Sequence, residues 1–151
     1  MEPIVFVVQS EPVPQPRQRH KAIALPNGRI MVQNYVPKDH PVHEFKKAVV
    51  RAARSAYAGD PIRGPVALEL ELVFPRPRAL VWKRRPMPRA WYEGAADADN
   101  VAKAVMDPLT DAQIWVDDRQ VTRLTVEKWT AAGDEQPHVR VTITPLANPQ
   151  R

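Results

Sequence analysis

Asp97 and Asp99 stand two residues apart, Lys103 follows Asp99 by four, and Asp117 and Asp118 sit side by side further along the chain. In extended backbone, side chains at i and i+2 point the same way, so Asp97 and Asp99 at the mouth of a helix can hold one divalent cation between them. A hard ion such as Mg²⁺ takes few protein ligands, keeps water, and accepts phosphate oxygens as the rest of its shell. Asp99 and Lys103 share a helix face. A helical wheel puts them at the rim of the apolar stripe, a partly shielded position where fixed charges act more strongly than in open water. A lysine beside such an ion can steady a pentacovalent phosphate or a leaving oxygen. Adjacent strand residues face opposite sides, so one of Asp117 and Asp118 is expected to enter the site while the other caps a turn; the residues themselves do not say which. Taken singly, an Asp before a helix is an ordinary N-cap and an Asp-Asp pair an ordinary turn. Their co-occurrence with an in-phase lysine points to chemistry, because clustered carboxylates repel unless a cation compensates.

The elements that must position these residues are legible as patterns. Ile4–Val8 is a β-branched apolar run and reads as a strand. Residues 21–25 and 29–32 flank Pro26-Asn-Gly28, a hairpin signal. A helix is predicted over residues 41–57, with Asp39 or His40 as cap and Val42, Phe45, Val49, Ala52, Ala53 and Ala56 as its buried stripe. Lys47, Arg51 and Arg54 fall on its opposite face. Val66–Phe74 is the clearest strand, with Val66, Leu68, Leu70, Leu72 and Phe74 on one face and Glu69 and Glu71 turned away. A second helix is predicted over residues 99–106, with Ala102, Val105, Met106 and Leu109 in phase, ending or bending before Pro108. Two last strands, 121–129 and 138–144, are expected to form a hairpin through the loop 131–137.

A chain of 151 residues suits one domain with a real core. It has no cysteine, which removes disulfides, thiolate metal sites and thiol nucleophiles and suits the cytosol. No apolar run reaches the roughly 20 residues of a membrane span, and no secretory signal is expected at the N-terminus. The net charge of +5 and pI of about 9.8 draw the protein toward polyanions. Proline, at 17 residues, concentrates in segments that are therefore neither helix nor central strand. One of these, residues 75–96, reads as a basic loop carrying Arg76, Arg78, Lys83, Arg84, Arg85 and Arg89 among Trp82, Trp91 and Tyr92. Arginine forks contact phosphate and aromatic rings stack on unpaired bases. Arg17 and Arg19, together with Arg76, Arg78, Lys83, Arg84 and Arg85, are the candidates for DNA-backbone binding. Residues 146–151 read as a flexible tail.

The run Asp97-Ala-Asp-Asn-Val-Ala-Lys103, followed by Asp107-Pro-Leu-Thr110 and by Asp117-Asp118 ahead of a strand, resembles the RusA family of Holliday junction resolvases. Pro12-Val-Pro-Gln-Pro-Arg-Gln-Arg19 and Tyr35-Val-Pro-Lys38 are similar to that family's opening. The resemblance implies a small single α+β domain, a mixed sheet with two main helices packed against it. It implies a homodimer that nicks symmetric strands of four-way branched DNA, with Mg²⁺, or Mn²⁺, on Asp97, Asp99 and Asp118. It makes Lys103 the essential lysine and leaves Asp117 and Asn100 in supporting positions. No nucleotide cofactor and no membrane are implied, and the setting is the cytoplasm of a bacterium or a phage-infected host. The chain departs from the pattern just before Asp97, where Gly94, Ala95 and Ala96 are small. Some relatives carry bulkier residues there, thought to wedge into the junction; Trp91 and Tyr92 are the alternatives in this chain. The rival expectation is a non-catalytic protein that binds branched or single-stranded nucleic acid.

Overall fold

The computed structural model describes residues 1–17, 19–78 and 87–149. Its organising element is β4 (Val66–Phe74), in which Ala67 and Val73 are buried as well as the alternating set Val66, Leu68, Leu70, Leu72 and Phe74. One face of β4 is wholly apolar, the other carries Glu69 and Glu71 between Ala67 and Val73, and β4 is the middle strand. Around it stand β1 (Ile4–Val8), β5 (Ala90–Trp91), β6 (Val121–Thr130) and β7 (His138–Pro145), in the order β1-β7-β4-β6-β5. β4 runs parallel to β6 and antiparallel to β7, so the sheet is mixed. The parallel pair requires a crossover, and α2 (Ala98–Asp111) lies within it.

Two helices cover one face of the sheet. α1 (Val42–Ala56) contributes Val42, Phe45, Val49 and Ala53 to the core; α2 contributes Val101, Ala102, Ala104, Val105, Pro108 and Leu109. Among the described residues the opposite face is open and carries Glu69, Glu71, Thr125, Glu127, Arg140 and Thr142. β2 (Arg19–Ala24) and β3 (Ile30–Tyr35) form a separate two-stranded sheet, turned at Gly28 with φ of +81°. This is a small α+β domain, as the sequence predicts. No helix among the described residues is long and apolar enough to cross a membrane.

Four local expectations are corrected. β6 and β7 do not pair: the loop 131–137 steps across the end of β4, where the Ala131 N–H donates to the Phe74 carbonyl at 2.9 Å. The pattern of each strand is the same either way; what separates them is that β4, with seven of its nine residues buried, takes one of them on each edge. α2 continues through Pro108 to Asp111 because that last turn buries Pro108 and Leu109 and leads into buried Ile114 and Trp115. Thr110 reinforces the turn by donating its hydroxyl to the Met106 carbonyl at 3.2 Å. In α1, Ala56 is exposed and lies outside the buried stripe, and the N-cap is Pro41 rather than Asp39 or His40, although His40 Nδ1 accepts the Val42 N–H at 3.1 Å. The segment after Pro145 is tied down at Leu146, whose N–H donates to Pro65 at 2.9 Å.

Candidate functional site

Asp97 occupies the N-cap position of α2 in extended backbone, yet its side chain makes no capping bond. Its backbone carbonyl accepts from Val101 at 3.1 Å, while its carboxylate leaves unfilled the capping role that an N-cap aspartate usually takes. Asp99 lies in the first turn, and both aspartates are exposed. The positive end of the helix dipole offsets part of their mutual repulsion, about 0.3–1 kcal/mol for each. Two bonds brace this end of α2. The Lys128 ammonium of β6 donates to the Ala96 carbonyl at 2.9 Å, and the Gln15 N–H donates to the Asn100 carbonyl at 2.9 Å.

Lys103 stands one turn after Asp99 but, among the described residues, forms no ion pair with it or with any other acid. Both are exposed rather than partly shielded, since the buried stripe of α2 turns away from them. Lys103 instead lines an open cleft of about 810 Å³ with Arg17, His20, Lys46 and Asn100. The cleft is predominantly cationic, and Asp107, at 3.6 Å from Lys46, is the acid on its wall.

Asp118 begins a short 3-10 turn, Asp118–Gln120, rather than a strand. Asp117 caps that turn, accepting the Arg119 N–H at 2.9 Å while the Gln120 side chain accepts the Asp117 N–H at 2.9 Å. The Arg119 backbone N–H and guanidinium together hold the Asp117 carboxyl below the usual carboxylate range. Gln120 is the anchor of the whole segment. It accepts from Val116 as well, and donates to the Ile62 and Gly64 carbonyls, both at 2.8 Å. Sequence reasoning passed over this glutamine because nothing in its spacing marks it; only the fold brings 62–64 beside it. Asp117 and Asp118 both line a pocket of about 400 Å³ with Lys46, Asp107, Thr110 and Asp111.

The acidic set is therefore in two parts within one chain. The Asp118 pocket also takes in Asp107 and Asp111 of α2, eight and twelve residues after Asp99, or about 12 Å and about 18 Å along the axis at 1.5 Å per residue. Among the described residues, no three Asp, Glu or His side chains gather into a group able to hold a metal ion. The donors fit a hard divalent cation chemically, being carboxylates in a chain with no cysteine; a single chain does not bring Asp97, Asp99 and Asp118 together.

The predicted DNA contacts divide as well. Arg17, Arg19 and Arg78 are exposed, whereas Arg76 donates to the Pro88 and Ala131 carbonyls, both at 3.1 Å, and so braces the loop. Lys83, Arg84 and Arg85, with Trp82, lie outside the described residues. Arg89 is bound to Glu71 and to Glu135, the latter through Nε at 2.8 Å. Tyr92 stacks on Phe74 with centroids 3.9 Å apart, so it is taken up by the core; Trp91 stacks on Trp129 at 3.9 Å and stays 61% exposed. Of the two rings, Trp91 alone keeps a free face.

No curated protein matches the chain. A family model described as endodeoxyribonuclease RusA matches residues 9–144, a span that holds Asp97, Asp99, Lys103, Asp118 and the cationic cleft. With that match running over nearly the full length, the chain belongs to the RusA endodeoxyribonuclease family.

Proposed function

We propose that this protein is a homodimeric, divalent-metal-dependent resolvase that hydrolyses phosphodiester bonds at four-way DNA junctions, in the cytoplasm where its DNA lies. The family match over residues 9–144, with the acidic residues and the lysine inside it, carries this reading. Asp97, Asp99 and Asp118 are the residues that would hold Mg²⁺ or Mn²⁺. When bound, such an ion lowers the pKa of a water and neutralises charge on the scissile phosphate. Lys103, exposed and unpaired among the described residues, binds the phosphate backbone beside the reacting group. Arg17 adds a contact on the same cleft wall. Asp117 holds the turn that carries Asp118, and Asn100 shares the cleft with Lys103.

Protein oxygens must come within about 2.1 Å of a bound Mg²⁺, and among the described residues of one chain no three acidic or histidine side chains gather that closely. The reading therefore pairs Asp97 and Asp99 of one protomer with Asp118 of the partner subunit, which makes the dimer a requirement of the chemistry. Subunit mixing tests it. Asp97→Asn and Asp118→Asn homodimers should each bind a synthetic four-way junction and fail to cut it with Mg²⁺. A mixed dimer of the two variants holds one site with both substitutions and one with neither, so it should recover nicking of a single strand. In a cis site every subunit of that hybrid is disabled, and no recovery would reject the shared site. Failure of the wild type to cut any junction with Mg²⁺ or Mn²⁺ would reject the resolvase reading itself.

A further inference from the structure

Residues 12–38 contain five Lys or Arg and no Asp or Glu, while the rest of the chain carries seventeen of each. The whole formal net charge of +5 therefore resides on one segment, and that segment is the β2–β3 hairpin with its two flanks. The hairpin stands apart from the main sheet. All six residues of β3 are exposed, with Ile30 at 73% and Val32 at 64%, and in β2 only Ile23 is partly covered. An isolated two-stranded ribbon is marginal in water, so a chain that keeps one this exposed has a partner for it.

The register shows how the ribbon is decorated. Arg19–Tyr35, Lys21–Gln33 and Ile23–Met31 share one face, which carries both strand cations; His20–Asn34, Ala22–Val32 and Ala24–Ile30 share the other. Arg29 adds charge at the turn. Six residues per strand give a reach of about 20 Å, or roughly six base steps at about 3.4 Å each. The major groove of B-form DNA, about 12 Å wide, admits a two-stranded ribbon. At its root, Arg17 and His20 line the cleft that also holds Lys103 and Asn100. A phosphate backbone following the ribbon inward would thus arrive at the lysine of the acidic motif.

We infer that the β2–β3 hairpin is a duplex-binding ribbon that lies in a groove of one junction arm and delivers its backbone to the Lys103 cleft. The inference rests on the DNA-cleaving reading above and assigns it a surface separate from the acidic residues. Charge complementarity selects DNA over a second copy of the chain as the occupant.

The test measures junction binding in EDTA, where no cutting occurs, across a salt series. Each lost phosphate contact lowers the slope of log K against log salt by about 0.9, so Arg19→Gln, Lys21→Gln and Arg29→Gln together should lower it by about 2 to 3. Arg51→Gln, Arg54→Gln and Arg63→Gln remove equal charge elsewhere and should leave the slope unchanged. The chain has no cysteine, so Ala24→Cys provides a unique attachment point for a hydroxyl-radical probe. That probe should cut within a duplex arm rather than at the crossover. An unchanged slope in the hairpin variant, an equal drop in the control variant, or probe cuts confined to the crossover would each overturn the ribbon. Dissociation of the dimer by Ile30→Ser with Val32→Ser would overturn it too, making the hairpin a clasp between subunits. A wild type that does not bind junctions at all refutes the functional reading instead.

Discussion

Replacing Gln120 with leucine keeps the volume of the side chain and removes its four hydrogen bonds. Val116 and Asp117 lose their acceptor, and the Ile62 and Gly64 carbonyls lose their donor. Each such bond is worth about 0.5–1.5 kcal/mol net. Val116 and Gly64 are exposed, so water recovers part of the loss there, and the total comes to about 2–3 kcal/mol. For a domain of this size each kcal/mol moves the midpoint by about 2–4 °C, so Gln120→Leu should lower Tm by about 5–10 °C. The loss falls on the turn that carries Asp118, so the variant should also cut junctions at least about tenfold more slowly, a barrier change of about 1.4 kcal/mol. Circular-dichroism melts and single-turnover junction cleavage measure the two effects. Gln120→Glu offers a second check: it keeps the acceptor for Val116 and Asp117 but sets a carboxylate against two carbonyl oxygens. It should therefore be destabilised at neutral pH and recover as that carboxyl protonates. If Gln120→Leu melts within about 1 °C of wild type, the four bonds do not hold the turn and the reasoning fails.

Other outcomes follow from the same geometry. Leu109 is fully buried on α2, and Leu109→Ala should cost about 2–5 kcal/mol in urea unfolding through lost contacts and a residual cavity. Trp115→Phe removes the indole donor to the Thr110 hydroxyl, 2.7 Å away, as well as ring area; it should cost about 2–3 kcal/mol by the same measurement. Hydrogen bonding to Arg89 holds the Glu135 carboxyl below its ordinary value. A carboxylate depressed by folding contributes stability at pH above its unfolded value, and that contribution is lost as pH falls through the folded one. Arg89→Met should therefore flatten the acid limb of a stability–pH curve below about pH 4.3, and an unchanged limb would contradict the pairing. Trp91→Ala exposes one face of Trp129 and should cost about 1 kcal/mol or less beyond its area, as expected for a surface aromatic pair.

The α+β class, the central strand, both helices and the turn at Gly28 were all written in local patterns. A β-branched run, a 3.6-residue stripe and an Asn-Gly pair act on their immediate neighbours, so periodicity alone places them. The residues of the acidic motif were legible for the same reason, since spacing along one chain is all that a motif needs. What the residues could not decide was who meets whom. Strands 121–130 and 138–145 have patterns that suit a hairpin equally well, and only the competition for both edges of β4 separates them. Pro108 argues locally for a helix end, and the burial of Leu109, Ile114 and Trp115 outweighs it. Trp91 and Tyr92 look alike in sequence, but Trp91 on the edge strand stays exposed while Tyr92, just past that strand, stacks on Phe74. That Asp97, Asp99 and Asp118 form no metal-holding group among the described residues of one chain is likewise a property of the fold. A helix converts residue spacing into distance at about 1.5 Å per residue, so spacing along the chain cannot by itself reveal which carboxylates meet in space.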